Sequence, residues 1–143
     1  MRRRVRPGTL RGTCLVAGVC AVLTVAAGLG VRSVGSGDAA KYTGDALYTV
    51  LVQALVVVVA PRVRPLTAAL VALAVSCGVE LLQLTDVPAE LAARSEIARL
   101  VLGSTFNAPD LFWYGVGAAA GWAVHAALGR RPDRNRDTQL VRE

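Results

Sequence analysis

The sequence predicts an all-α integral membrane protein, a four-helix bundle with an amphipathic interfacial helix between its third and fourth spans. Three observations lead there. The chain is 54% apolar but only 5% aromatic, too greasy and too poor in core aromatics for an ordinary soluble domain of 143 residues. Its Val, Ala and Leu gather in four blocks separated by charge, at about 13–31, 44–60, 66–84 and 110–128. Each block approaches the roughly twenty apolar residues that a helix needs to cross a bilayer. Basic residues then crowd alternate ends of the blocks, which is the bias that sets membrane orientation.

Residues 1–12 form a basic tail with Arg2, Arg3, Arg4, Arg6 and Arg11. The run from Thr13 to Val31 has the outline of a signal peptide, since a basic head precedes it and Ala26, Ala27 and Gly28 lie near its end. At about nineteen residues it exceeds the roughly 7–15 of a cleavable apolar region, so it is expected to remain as the first span. From Arg32 to Thr43 the residues Ser33, Gly35, Ser36, Gly37 and Asp38 carry loop chemistry. The second span, Gly44 to Ala60, is closed by Pro61 and a turn with Arg62 and Arg64. Its four consecutive valines, Val56 to Val59, would suit a buried strand in a soluble protein. Backbone inside a bilayer must satisfy its hydrogen bonds within the segment, and that favours helix.

Leu66 to Leu84 forms the third span. Pro88 to Leu102 reads as a helix lying at the interface, with Leu91, Ile97, Leu100 and Val101 towards one side and Glu90, Arg94, Glu96 and Arg99 at polar positions. Gly103 is expected to break it. The fourth span opens with Leu111-Phe112-Trp113-Tyr114, an aromatic cluster of the sort that anchors at a membrane surface. Residues 129–143 form a charged tail with five arginines, expected to be disordered.

Five arginines in each tail and two in the Arg62/Arg64 turn make twelve basic residues on one side, against Arg32, Lys41, Arg94 and Arg99 on the other. The expected topology is multi-pass in a bacterial cytoplasmic membrane with both termini cytoplasmic. The bacterial assignment follows the Arg, Ala, Val and Gly bias of a GC-rich genome, in which Lys41 is the sole lysine. A net charge of +6 raises nucleic acid as a partner. Arginines at span ends account for that charge, so the expected partner is the lipid bilayer and no nucleic acid. Cys14, Cys20 and Cys77 lie singly in apolar runs and read as small fillers. His125 has no neighbouring ligands, and neither a metal nor a cofactor is expected.

Polar residues converge on the outer side of this topology. Asp45 opens span two, Glu80 and Gln83 close span three, Asp110 opens span four, and Arg94 and Arg99 lie in the connecting segment. Their spacing makes helix faces: Ser76, Glu80 and Gln83 on one, Asp45, Thr49 and Gln53 on a second, Asp110, Tyr114, Gly117 and Gly121 on a third. Gly117 and Gly121 bracket a small-residue pattern that permits close helix approach. The candidate ligand-binding residues are therefore Asp45, Glu80, Gln83, Arg94, Asp110 and Tyr114. Two readings stand open. The cluster forms a pocket for a head group, sugar, ion or proton, or Arg94 or Arg99 neutralises a carboxylate simply to hold the loop down.

The same residues carry a resemblance. Lys41-Tyr42-Thr43-Gly44-Asp45-Ala46-Leu47, then Val79-Glu80-Leu81-Leu82-Gln83-Leu84, Arg94, Leu102-Gly103-Ser104-Thr105-Phe106, Asp110-Leu111, Tyr114, Gly117 and Gly121 resemble the small membrane proteins grouped as domain of unknown function 2809. The likeness runs over about residues 15 to 127, and it implies no activity. A more distant similarity is to the VanZ-like family, linked to the cell envelope and glycopeptide antibiotics. It rests on an acid before a span, Glu80 followed by Gln83, and Asp110 before a glycine-containing last span, with Tyr114 where an asparagine would be expected.

The expected function is a binding or accessory membrane protein with an outward-facing pocket for an envelope lipid or glycan head group. The alternatives are an enzyme on a lipid-linked substrate using Glu80 or Asp110 as general acid or base, a small proton-coupled transporter, and a scaffold without a pocket. The sequence shows no nucleophile set, no phosphate loop and no inverted repeat. It leaves any catalytic residue unknown and says nothing of oligomeric state.

Overall fold

Proline, glycine and serine set the helix boundaries. The computed structural model describes residues 7–102 and 105–129, and among these it has six helices and no strand. They are α1 (Pro7–Val34), α2 (Asp38–Val59), α3 (Pro65–Leu82), α4 (Val87–Arg94), α5 (Glu96–Leu102) and α6 (Ala108–Gly129). Within α1, and across α2, α3 and α6, lie four stretches long and apolar enough to cross a membrane. Arg2, Arg3, Arg4 and Arg6 of the first tail, the helix breaker Gly103 with Ser104, and residues 130–143 lie outside the described residues.

The turn between α1 and α2 is only Gly35-Ser36-Gly37, and Gly37 has a φ of 82°, which glycine adopts without a Cβ penalty. As a result α2 starts at Asp38 instead of Gly44, and the segment read as loop is mostly helix. An apolar count misses a polar first turn. Asp38 suits that turn because the helix dipole favours a negative charge there. At the other end of α2, Arg64 is extended (φ −69°, ψ 142°), the conformation that a following proline imposes, and Pro65 opens α3 as its first residue.

The interfacial segment differs from the single helix expected over 88–102. Ser95 is extended (φ −151°, ψ 123°) and divides it in two. The Ser95 N–H donates to Leu91 O at 3.0 Å, closing α4, while its Oγ accepts the Ala98 N–H at 3.3 Å, capping α5. One serine thus ends one helix and starts the next. The two short helices pack chiefly on each other.

Helices α2, α3 and α6 pack pairwise into a three-helix core, and α1 lies along α2 without comparable contact with α3 or α6. The core's buried residues are small or polar: Thr49 and Gln53 on α2, Ala68, Ala72, Ser76 and Glu80 on α3, Tyr114, Gly117 and Gly121 on α6. Large apolar side chains such as Leu15, Val22, Leu23, Leu66 and Val124 are exposed. This inside-out pattern suits a lipid surround, where burying a leucine brings no hydrophobic gain and close packing or hydrogen bonding must join the helices. The start of α2, the end of α3 and the start of α6 meet at one end of the bundle, the polar end.

Candidate functional site

Two glycines bring α6 against α2. A Cβ at Gly117 would lie 2.2 Å from Ala46 O, and one at Gly121 would lie 2.4 Å from Gln53 Oε1, so any larger residue would push the helices apart. That approach sets Tyr114, one turn before Gly117, deep in the core at 6% exposure. The Thr49 hydroxyl donates to Ser76 Oγ at 3.0 Å and ties α2 to α3. Gln53 is 3% exposed, and neither of its side-chain polar atoms finds a hydrogen-bond partner among the described residues.

Glu80, one turn above Ser76, is 1% exposed, and both of its carboxylate oxygens are engaged. Oε1 accepts the backbone N–H of Asn107 at 2.5 Å, and Oε2 accepts the Tyr114 hydroxyl at 2.9 Å. Asn107 precedes α6, and Asp110 follows three residues later. In a capping box the acid at that spacing would take the N–H of the capping residue. Here Glu80 of α3 takes it instead. Asp110, 4% exposed, is left to accept the Asn107 side-chain amide and the Lys41 ammonium, which reaches both of its oxygens. A continuous chain of charge-assisted bonds therefore links α2, α3 and α6 through Lys41, Asp110, Asn107, Glu80 and Tyr114. Tyr42 of α2 stacks on Trp113 of α6 beside it, with centroids 5.4 Å apart.

Next to this chain lies a half-open cavity of about 780 Å³, within the size range of ligand sites. Its polar wall includes Asp45, Tyr48, Glu80 and Gln83; its apolar wall includes Val25 and Leu29 of α1 and Leu51 of α2. Asp45 Oδ2 is buried 3.9 Å from Lys41 Nζ and accepts no hydrogen bond. Gln83 donates Nε2–H to Leu102 O at 2.5 Å, fastening the end of α5 to α3, while its buried Oε1 has no hydrogen-bond partner among the described residues. Among the described residues, no group of three or more His, Cys, Asp or Glu is placed to hold a metal.

Of the six candidate ligand-binding residues, Asp45, Glu80, Gln83, Asp110 and Tyr114 all line this cavity. Arg94 does not; it is exposed near the end of α4. Arg99 lines the cavity but pairs with Glu96 on its own helix. The counter-charge to Asp110 comes from Lys41, which sequence reasoning had counted only as a topological charge. Its spacing to Asp45, one helical turn, was the available signal. Asn107 was also missed, although Asn-Ala-Pro-Asp before an apolar run has the form of a helix start.

None of the curated proteins and none of the solved structures matches the chain. A family model described as a protein of unknown function, DUF2809, matches residues 34–118. That span runs from the end of α1 into the middle of α6 and contains every residue of the bonded chain from Lys41 to Tyr114. The chain belongs to the DUF2809 family.

Proposed function

We propose that this protein is a binding or accessory protein of the bacterial cytoplasmic membrane, whose cavity receives the head group of an envelope lipid or glycan component. The alternation of basic residues puts the polar end on the outer face, with both termini cytoplasmic. The observation that carries the reading is the pair of unused acceptors. A clasp that only holds helices together would consume its polar atoms, as Glu80 and Asp110 do. Asp45 Oδ2 and Gln83 Oε1 instead remain buried and without hydrogen bonds in residues lining an accessible cavity. Such groups call for donors from elsewhere, and a hydroxylated or amine-bearing head group supplies them.

Native mass spectrometry of the protein released from its own membranes tests this directly. Wild type should retain a bound amphiphile or glycan, and Asp45→Asn, which changes a cavity acceptor outside the bonded chain, should lose it while remaining folded. Equal retention by both proteins, or no bound species in either, would count against the reading.

A further inference from the structure

The cavity is asymmetric in a way that names its ligand more closely. Its α1 wall is a single helix face, Thr24, Val25, Gly28, Leu29 and Arg32, apolar in its middle and cationic at the polar end. Helix α1 rests on α2 and leaves the side facing α3 without helix contact of its own, so the cavity extends as a cleft between α1 and α3. Gly28 lies in that cleft, and a Cβ there would meet nothing within 4 Å. A cleft between two membrane-crossing helices, walled by Val25 and Leu29, opens towards the hydrocarbon.

The rim carries different chemistry. Arg32 and Arg99 both line the cavity and both are exposed. Arg32 makes no ion pair among the described residues, and Arg99 pairs only with exposed Glu96, a contact of little net worth in water. Lys41 is already bound by Asp110. Two arginines at a rim offer planar, multidentate donors that match a phosphate. Behind them Asp45 Oδ2 and Gln83 Oε1 accept but do not donate. Cation rim, acceptor wall and apolar cleft follow one another in the order in which phosphate, hydroxyls and hydrocarbon occur in one kind of molecule.

We infer that the cavity takes a phosphate-bearing lipid with free hydroxyls, its phosphate on Arg32 and Arg99, its hydroxyls on Asp45 and Gln83, and its tail in the cleft between α1 and α3. This rests on the cavity being a binding site, as proposed above, and adds the phosphate and the lateral seat of the tail.

The test uses the full chain in phosphatidylcholine nanodiscs, with thermal unfolding as the readout, because a ligand that binds only the folded state raises the midpoint. Three probes separate the parts: phosphatidylglycerol, diacylglycerol with the same tails and no phosphate, and glycerol 3-phosphate with no tail. Phosphatidylglycerol should raise the midpoint and the other two should not. Replacing Arg32→Gln and Arg99→Gln together should weaken the response about tenfold, the scale of one lost charge-assisted contact. Gly28→Leu fills the cleft without touching the protein or changing its charge; it should keep the unliganded midpoint and abolish the response. That variant separates a seated lipid from general attraction of anionic lipid to a basic protein. Equal stabilisation by diacylglycerol, or by glycerol 3-phosphate alone, overturns the assignment while leaving a binding cavity in place. A phosphatidylglycerol response unchanged in both variants also overturns it. No response to any probe, together with no retained species in native mass spectrometry, removes the cavity reading itself.

Discussion

Helix α1 and the core of α2, α3 and α6 are made of similar residues and held by different forces. In α1 the buried positions are Ala17 and Ala21, while Leu15, Val19, Val22 and Leu23 stand exposed. In the core, the largest fully buried side chains include Glu80, Thr49 and Ser76. A carboxylate in that position would disrupt a protein stabilised mainly by hydrocarbon burial, yet here it connects two helices and a loop. The comparison shows where the structural information lies in so apolar a chain. Leucines and valines make the helices compatible with lipid, while small and polar residues decide which helices meet. Helix α1, with few of the latter, attaches along one neighbour and leaves a cleft.

Substitutions at matched positions sharpen this contrast. Gly117→Leu should have the largest effect, because its Cβ would strike the Ala46 carbonyl. It should cost about 3 kcal/mol and sharply reduce accumulation in the membrane. Gly28→Leu, the same change on α1, should accumulate as wild type does; an equal loss would show α1 to be packed as tightly as the core. Glu80→Ala should come next, losing about 2 kcal/mol in thermal unfolding in mild detergent, since it strands the buried Tyr114 hydroxyl and the Asn107 N–H. Glu80→Gln, which keeps an acceptor, should recover part of that loss.

Smaller effects test the placement of charge. Lys41→Gln leaves the Asp110 carboxylate, 6% exposed, without its cation and should cost about 1 kcal/mol, moderated because the lysine itself is 45% exposed. Arg94→Gln should change stability by less than about 0.5 kcal/mol, as expected for a surface residue outside any network. The reverse ranking would show the expected interfacial arginine to be the true partner. Gln53→Leu removes an amide with no partner among the described residues and should be neutral or slightly stabilising. A clear loss would reveal a contact at that amide beyond those described.

The four spans and the inward faces were legible in the sequence because each leaves a periodic mark. Asp45, Thr49 and Gln53, or Ser76, Glu80 and Gln83, recur at helical spacing wherever the surrounding residues are apolar. The start of α2 was not legible, since Asp38, Lys41 and Thr43 belong to a polar turn that composition cannot distinguish from loop. The cation opposite Asp110 was misplaced for a related reason. Arg94 and Lys41 lie on the same side of the membrane in any topology count, and only the early start of α2 brings Lys41 onto the carboxylate. The division at Ser95 depends on two weak local bonds from one serine, which an amphipathic pattern running through it does not reveal. The cavity left no mark in the sequence at all, because it arises from a contact that α1 does not make.

The most direct test separates the bonded chain from the cavity beside it within living cells. A deletion strain under envelope stress would be complemented with Asp45→Asn and with Lys41→Gln, each normalised to its abundance in the membrane. Asp45→Asn is expected to reach wild-type abundance and fail to restore growth, while any deficit of Lys41→Gln should track its lower abundance. Full restoration by Asp45→Asn at normal abundance would contradict a binding role for the cavity and leave the polar end as a clasp alone.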